Sequence, residues 1–301
     1  MSASNVFPDP PSFTAEELDA CGRSGDYCPI LFEWYKYTGH ITNLVASIDL
    51  SSPAAKLVRK PHFGALIGLL NRCCRLMLAN VALSHEGLFG ETTALVDRCI
   101  FESTVKVLWL CQQDSDDTFA RFFAEGLKTE LALKTEIQER IAARGGTVIQ
   151  IEERMLKSIT RYLATSGMSD EEIAASKKLP DLASMIETIG HERLAYIVGQ
   201  KIGSHHVHGT WPSLLLHYLD WDTVDSFRPR DHNCPTHVNQ YVFVPLMVLS
   251  AAKAFCSWLM SVPEAKILVD ILQSIEDEIL TVNKSVIGSD FNVADEAPHS
   301  F

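Results

Sequence analysis

Long segments with apolar residues at helical spacing most restrict what this chain can fold into. Residues 61–86 and 91–113 both carry this pattern, and Pro61 suits the first turn of a helix because proline has no N–H to leave unpaired. We find no internal repeat, no glycine-rich phosphate loop and no convincing run of alternating apolar and polar residues. The sequence therefore predicts an all-α protein, a helical bundle with additional peripheral helices.

Capping and turn residues divide the chain into a series of predicted helices. The acidic stretch DSDD offers N-cap chemistry before one helix, and Gly145 and Gly146 end that same helix. The predicted helices cover residues 28–48, 61–86, 91–113, 117–144, 148–166, 169–178, 181–203 (in one or two pieces), 211–219, 236–261 and 264–284. The predicted domain organisation is a loose segment at 1–20, a single α-helical domain at 21–285 and a flexible tail at 286–301.

The charge and the cysteine usage argue against two classes of protein. The formal net charge of -12 disfavours a broad nucleic-acid-binding surface, because such surfaces need dense lysine and arginine; a local basic pocket stays open. Cys73, Cys74 and Cys256 lie in apolar periodic segments, and no C-x-x-C pair is present. This pattern indicates free cysteines that act as small hydrophobes rather than a secreted disulfide framework.

The sequence predicts a cytoplasmic protein with no membrane partner. Its N-terminus lacks the basic and apolar regions of a secretory signal. Two segments approach the apolarity of a membrane span, but residues 64–83 contain two arginines, and residues 241–260 contain Pro245 and Lys253. We interpret both segments as helices buried in a bundle, because a charge within a bilayer is costly.

Three histidines follow Lys201 closely in the stretch KIGSHHVHGTW. If this stretch is helical, Lys201, His205 and His208 share one face with Ser204 beside them, and His206 points elsewhere. Such a face suits the cleavage of RNA by its own 2′-hydroxyl, in which histidine moves the proton and lysine stabilises charge on the phosphate. The alternative is that the histidines satisfy the end of a helix, where imidazolium is favourable.

A metal site is a further alternative. The stretch DHNCPTH supplies His232, Cys234 and His237, and together with the first histidines it offers enough nitrogen and sulfur for zinc. The spacing H-x-C-x2-H is not a common zinc spacing, and a proline-containing loop accumulates polar residues in any case. The preferred interpretation therefore includes no metal and no cofactor.

Arg98 and Glu102 lie four residues apart within an otherwise apolar helix. They either pair with each other or face a polar pocket, and we interpret them as a structural anchor rather than as catalytic groups. Arg121, Glu125 and Lys128 line one face of the next helix, which is typical of an amphipathic helix with solvated charges.

Several sequence elements occur in an order that resembles a bacterial family catalogued as a domain of unknown function. The resemblance covers roughly residues 60–260, and V-H-G is its most specific element. The elements are R-x3-E at Arg98 and Glu102, R-F-F with a later lysine at Arg121 to Lys128, and then Tyr196, Ser204 and V-H-G ending at Gly209.

That family in turn resembles the HEPN group of α-helical domains, many of which are metal-independent ribonucleases in toxin–antitoxin and phage-defence systems. Their signature is an arginine, four to six residues and a histidine, in a site commonly completed across a dimer. The corresponding pair here is Lys201 and His208, and lysine keeps the charge but loses the planar fork of arginine. The resemblance implies RNA as substrate, a homodimer and an antitoxin-like protein partner. The implied roles are acid/base for His208, phosphate binding for Lys201, assistance from Ser204 and His205, and support from Arg98, Glu102, Arg121 and Tyr196.

Two functional hypotheses therefore stand side by side. The first is an HEPN-like ribonuclease. The second is a non-catalytic helical module that binds a protein or a small molecule, in which the same polar residues form a buried network that fixes helix packing.

Overall fold

The structure, a computed structural model, consists mainly of helices, so the all-α prediction is confirmed. It describes residues 7–85, 87, 89–221, 227–230 and 234–287. The first helices are α1 (Ala15–Ser24), α2 (Cys28–Val45), α3 (Lys60–Ser84), α4 (Gly90–Gln113), α5 (Asp116–Ala143), α6 (Gln150–Ser166) and α7 (Asp170–Ala175). Short helices follow, namely α8 (Leu182–Thr188), α9 (Arg193–Tyr196), a π-helical segment (Ile197–Ile202), α10 (Gly203–His208), α11 (Trp211–Ser213) and a second π-helical segment (Leu214–Tyr218). The last elements are strands β1 (Leu219–Trp221) and β2 (Phe227–Pro229) and helices α12 (Val238–Leu259) and α13 (Val262–Ile287).

Several structural details differ from the sequence expectation. The segment predicted to be helical over residues 181–203 is divided into α8, α9 and a π-helical segment, and the helix predicted over 211–219 ends where strand β1 begins at Leu219. Helix α1 begins at Ala15, inside the segment predicted to be loose, because Thr14 and Glu17 form a capping box in which each side chain accepts a hydrogen bond from the other's backbone N–H. Strands β1 and β2 pair antiparallel, with Leu219 opposite Pro229, within a stretch whose composition is that of a loop.

The chain divides into two compact units. The first comprises the described residues of Met1–Leu57, Leu66–Cys111 and Leu182–Phe301, and the second comprises Val58–Ala65 and Gln112–Asp181. The single α-helical domain over residues 21–285 stays a prediction. The tail predicted at 286–301 lies outside the described residues from residue 288 onward.

The core of the first unit lies where α2, α12 and α13 pack against one another. Apolar side chains at helical spacing are fully buried there because each helix turns its apolar face inward. Examples on α2 and α12 are Leu31, Ile41, Val248 and Phe255, and α13 adds Ile279. A charged pair also lies within this core, since the Lys253 ammonium of α12 contacts the Glu276 carboxylate of α13.

The second unit is built from α5, α6 and α7 around a separate apolar cluster. Ser115 caps the start of α5 by accepting a hydrogen bond from the Thr118 N–H at 3.2 Å, as the acidic stretch before this helix predicts. The chain leaves α5 through Gly145 and Gly146, both with positive φ. The buried members of the cluster are Ala124, Ile137, Ile159, Leu163 and Ile173.

Helices α3 and α12 are long and apolar enough to cross a membrane by length and composition alone. Most of the apolar window of α12 is buried inside the structure, as in the core helix of a globular protein, whereas only 33% of the α3 window is buried, so the expectation of a buried helix is not met for α3. The two helices are therefore weak evidence for a membrane protein, and the cytoplasmic location stays a prediction.

The Lys253–Glu276 pair gives the first testable prediction. Its side chains are only 12% and 6% exposed, so removing one partner leaves an uncompensated charge in the core. We expect Lys253→Met to lower the free energy of unfolding by about 3–5 kcal/mol, and the double variant Lys253→Met/Glu276→Leu to recover most of that loss. Urea unfolding measures both values.

The matched control is the Lys266–Asp270 pair of α13, whose side chains are 69% and 60% exposed. Lys266→Met should change the free energy of unfolding by less than about 0.5 kcal/mol because solvent screens an exposed pair. Equal losses of unfolding free energy in Lys253→Met and Lys266→Met would show that burial does not determine how strongly the loss of a charged partner destabilises the protein.

Candidate functional site

Asp97 is the centre of a buried hydrogen-bond network that joins four helices of the first unit. The Asn80 Nδ2 group donates to Asp97 Oδ1 at 2.6 Å and to the Tyr35 hydroxyl oxygen at 3.1 Å. Gln240 Nε2 donates to the other carboxyl oxygen, Asp97 Oδ2, at 2.5 Å. One side chain comes from each of α2, α3, α4 and α12, so the network ties the packing of these helices together.

The protonation of Asp97 follows from its surroundings. Burial raises the pKa of Asp97 to about 8, although the hydrogen bonds from Gln240 and Asn80 act in the opposite direction. The two amide donors favour the carboxylate, but the loss of hydration outweighs them. At neutral pH the uncharged acid therefore predominates.

A cavity of about 470 Å³ lies beside this network. We call it the α4–α12 cavity because residues of both helices line it, together with the segment from Gly199 to His217 and the connection before α12. Its volume is within the range of small-molecule sites. The apolar part of the lining comprises Ala94, Phe101, Leu216, Pro235, Phe243 and Val244. The ionisable part comprises Asp97, Arg98, His206, His217, Cys234 and His237.

Arg98 connects α4 to the histidine-rich stretch. Its Nε donates to Ser204 Oγ at 3.2 Å, and the Ser204 hydroxyl donates to the Gln200 carbonyl at 2.7 Å. A Cβ atom at Gly203 would lie 3.1 Å from the Cβ of Arg98, so a larger residue would require one of the two segments to shift by a few tenths of an ångström. Gly203 therefore lowers the helix propensity of this stretch but allows the stretch to approach α4 closely.

As the spacing predicts, His206 lies on a different face of this stretch from His205 and His208. The face that lines the cavity is that of His206, not the face predicted to be catalytic. His206 lies three residues after Gly203, on the side of α10 that faces Arg98, and it lines the cavity. His205 instead pairs through Nδ1 with the Thr210 hydroxyl at 2.7 Å, and His208 is exposed at the end of α10. The catalytic roles of His205 and His208 stay predictions.

His206 and His217 form a pair of neighbouring imidazoles in the cavity wall, with ring centroids 4.8 Å apart. Burial lowers the pKa of His206, and the neighbouring His217 and His205 lower it further. Burial also lowers the pKa of His217, and the nearby Arg230 lowers it further, whereas the Glu91 carboxylate raises it. Both rings are therefore neutral at pH 7, in the form that accepts a proton.

Cys234 contacts His217 at the wall of the cavity. The His217 Nδ1 atom lies 3.2 Å from Cys234 Sγ. The start of α4 packs against the same segment, because the Gly90 N–H donates to the Cys234 carbonyl at 2.6 Å. Only glycine fits at this point, since a Cβ at Gly90 would overlap the Pro235 carbonyl.

The metal alternative gains no support within the described residues. His232 lies outside the described part of the structure. His237 Nδ1 accepts from the Asn239 N–H at 3.2 Å and caps α12, while Cys234 contacts His217. No group of three or more histidine, cysteine or acidic side chains with the arrangement of a metal site occurs among the described residues.

The other predicted residues have separate environments. The side chain of Lys201 lies outside the described part of the structure, and Tyr196 is the last residue of α9. The Glu102 carboxylate binds the Lys106 ammonium at 2.6 Å. Burial raises the pKa of Glu102, but the positive charges of Lys106, Arg98 and Arg72 outweigh burial and lower the pKa overall. In the second unit, Arg121 pairs with Asp117 of its own helix at 2.5 Å.

Sequence reasoning missed three of the groups at the centre of this site. Asn80 and Asp97 are polar residues within apolar helical segments, and that contrast is a local signal of a buried polar contact. His217 carries no comparable signal, since its partner Cys234 lies 17 residues along the chain. Only the folded chain brings this pair together.

Residues 63–227, more than half of the chain, match a family of unknown function, DUF5677. The chain belongs to this family. The DUF5677 match includes Arg98 and His217, whereas Cys234 and Gln240 lie beyond its end. The expected membership of a family of unknown function is thereby confirmed, and the relation to HEPN domains stays a prediction. No curated protein matches the chain, and no solved structure does.

The raised pKa of Asp97 predicts a pH dependence of stability. Between the ordinary carboxyl pKa of 3.8 and the folded-state value of about 8, the folded protein holds a proton that the unfolded chain has released. The stabilisation is therefore complete below pH 3.8 and is lost as the pH rises through about 8. Relative to Asp97→Asn, the wild-type free energy of unfolding should fall by up to about 1.4 kcal/mol per pH unit between pH 5 and 7.

Urea unfolding of wild type and Asp97→Asn at pH 5, 6 and 7 measures this difference, because all other titrating groups are common to both proteins. A difference that is constant with pH, or that grows in favour of the wild type as pH rises, would contradict the burial of a protonated Asp97.

Proposed function

We propose that this protein binds a small, largely apolar organic anion in the α4–α12 cavity. The observation that carries the proposal is the cavity lining, which is mostly apolar and holds a few convergent polar side chains. This composition is typical of sites that take small organic molecules, in which apolar contacts supply affinity and a few polar groups fix orientation.

The charge of the lining favours an anionic group on the ligand. Arg98 is the permanently charged side chain of the described lining, whereas Asp97 is mostly protonated and His206 and His217 are neutral at pH 7. Only Nε of the Arg98 guanidinium has a hydrogen-bond partner among the described residues, namely Ser204. The terminal nitrogens are thus available to a carboxylate, sulfonate or phosphate group.

The net charge of the whole chain limits the size of that anion. A formal net charge of -12 repels a polyanion, whose many phosphates require many cationic contacts. A small molecule needs only the local field of Arg98 and gains the rest of its affinity from apolar burial.

A fluorescent probe tests the proposal directly. The anionic dye 1-anilinonaphthalene-8-sulfonate should bind the wild-type protein, and Ala94→Phe, which fills the cavity, should weaken that binding by about tenfold or more. Ala79→Phe is the matched control, because Ala79 is exposed on α3. Near-ultraviolet circular dichroism of each variant shows that the fold is retained.

The anion preference is tested by Arg98→Gln with two dyes. Loss of a charge-assisted hydrogen bond should weaken binding of the anionic dye about tenfold, while binding of the neutral dye N-phenyl-1-naphthylamine stays within about twofold. Equal weakening of both dyes would contradict the anion preference. Unchanged binding to Ala94→Phe would contradict the cavity as the binding site.

A second candidate function is metal-independent cleavage of RNA, as the resemblance to HEPN domains implies. Two observations favour it. His208 is exposed at the end of α10, where a large substrate can reach it, and the Arg98–Ser204 hydrogen bond joins two of the sequence elements on which the resemblance rests. A homodimer and an antitoxin-like protein partner belong to this candidate.

The ribonuclease candidate requires activity that depends on His208. With a fluorescent RNA oligonucleotide in EDTA, His208→Ala should lower the cleavage rate by about 100-fold or more, as expected for loss of a general acid or base. His40→Ala, which removes an exposed histidine of α2, should leave the rate unchanged. Purified wild-type protein without cleavage, or a His208→Ala variant as active as wild type, would rule this candidate out.

A further inference from the structure

Cys234, His217 and Glu91 come together from three separate segments beside the α4–α12 cavity. His217 Nδ1 lies 3.2 Å from Cys234 Sγ, which is within hydrogen-bond reach of a thiol. Both residues line the cavity, so a bound molecule reaches the sulfur. The Glu91 carboxylate interacts electrostatically with both of them.

The position of Cys234 at the start of α4 adds a second favourable element. The backbone N–H of Glu91, in the first turn of α4, lowers the pKa of the Cys234 thiol and so favours the thiolate. α4 has 24 residues, so its positive N-terminal end adds to this stabilisation. The contact depends on Gly90, because any side chain there would overlap the Pro235 carbonyl.

The resting state of the pair is a neutral thiol beside a neutral imidazole. Burial raises the pKa of Cys234, and the Glu91 carboxylate raises it further, whereas the Glu91 N–H and Arg230 lower it. Since the pKa of His217 is lowered by burial and by Arg230, its ring is free to accept the thiol proton. Among the described residues, His206 and Tyr218 are further ionisable neighbours of this pair.

We propose that Cys234 is a catalytic nucleophile for acyl transfer, with His217 as its general base, and that it acts on an ester or thioester held in the α4–α12 cavity. The sulfur forms a bond to the carbonyl carbon while the thiol proton moves to His217 Nδ1. The bond from that carbon to the leaving group then breaks, and the leaving group takes the proton from His217. Water hydrolyses the resulting thioester with His217 again as base, which releases a carboxylic acid and restores the thiol.

Glu91 acts through His217 in this reaction. When the ring takes up the proton, the nearby carboxylate stabilises the imidazolium, as the third group of a nucleophile–base pair does. The product is a small organic anion, the class of ligand proposed above for this cavity. The inference rests on that proposed function for substrate binding only, since the reactivity of the thiol is independent of it.

The first experiment measures thiol reactivity with iodoacetamide, which needs no binding site. In EDTA at pH 7, peptide mass spectrometry should show Cys234 alkylated at least about tenfold faster than Cys99, because general-base assistance accelerates the attack. Cys99 is the matched control, since it is also half-buried and makes no hydrogen bond to a histidine in the part of the chain that the structure describes. Equal rates at the two cysteines would overturn the proposal.

The second experiment uses p-nitrophenyl acetate as an acyl donor. Wild type and Cys99→Ser should form a thioester at Cys234 and release p-nitrophenolate, and Cys234→Ser should form none. His217→Ala should slow acylation by about 100-fold, and added imidazole should restore part of the rate, which a merely structural role of His217 does not predict. If His217→Ala fails to fold, His217→Gln replaces it, with the same loss of rate expected.

The outcomes separate this inference from the proposed ligand-binding function. Alkylation of Cys234 without thioester formation would overturn acyl transfer, and so would acylation that is unchanged in His217→Ala. Dye binding without a reactive Cys234 would overturn this inference and leave the proposed function intact. A reactive Cys234 without dye binding would overturn the proposed function alone.

Discussion

The hydrogen bonds of Asp97 are the constraint on which the rest of the first unit depends. The Asp97 carboxyl group is held by amide donors from α3 and α12, and Asn80 extends the network to Tyr35 on α2. Removing the hydrogen bonds would leave buried polar groups unpaired, at a cost of about 1–3 kcal/mol each. Four helices are thereby fixed around one buried acid, and the α4–α12 cavity lies directly beside it.

Close backbone approach builds the rest of the site. Gly203 lets α10 contact the Arg98 side chain, and Gly90 lets the start of α4 contact the Cys234–Pro235 segment. Each contact places a chemically useful group in the cavity wall, His206 in one case and the thiol in the other. Because Gly203 and Gly90 have no side chain, the segments pack closely enough to bring several polar groups together in the cavity wall.

Most of the fold was predictable from the sequence because its signals are local. Apolar periodicity and capping residues give α3, α4, α5, α12 and α13 to within a few residues, since both act within one or two turns. The site was harder to predict because the face of a helix that meets its neighbour is set by distant residues. Spacing correctly separates His206 from His205 and His208, but only the contact of Gly203 with Arg98 decides that His206 faces the cavity. The His217–Cys234 pair depends on the fold alone.

The orientation of the Asn80 amide is coupled to the proton on Asp97. Asn80 Nδ2 donates to Asp97 in the structure, an arrangement that suits the carboxylate, and Asn80 Oδ1 is then buried with no partner among the described residues. A protonated Asp97 needs an acceptor, and a half-turn of the amide would offer Oδ1 to it while placing Nδ2 where Oδ1 now has no partner among the described residues. The Tyr35 hydroxyl, whose pKa burial raises well above its usual value, would then donate to the same oxygen. Because an amide side chain carries both a donor and an acceptor, Asn80 is able to hydrogen-bond Asp97 and Tyr35 in either protonation state of Asp97.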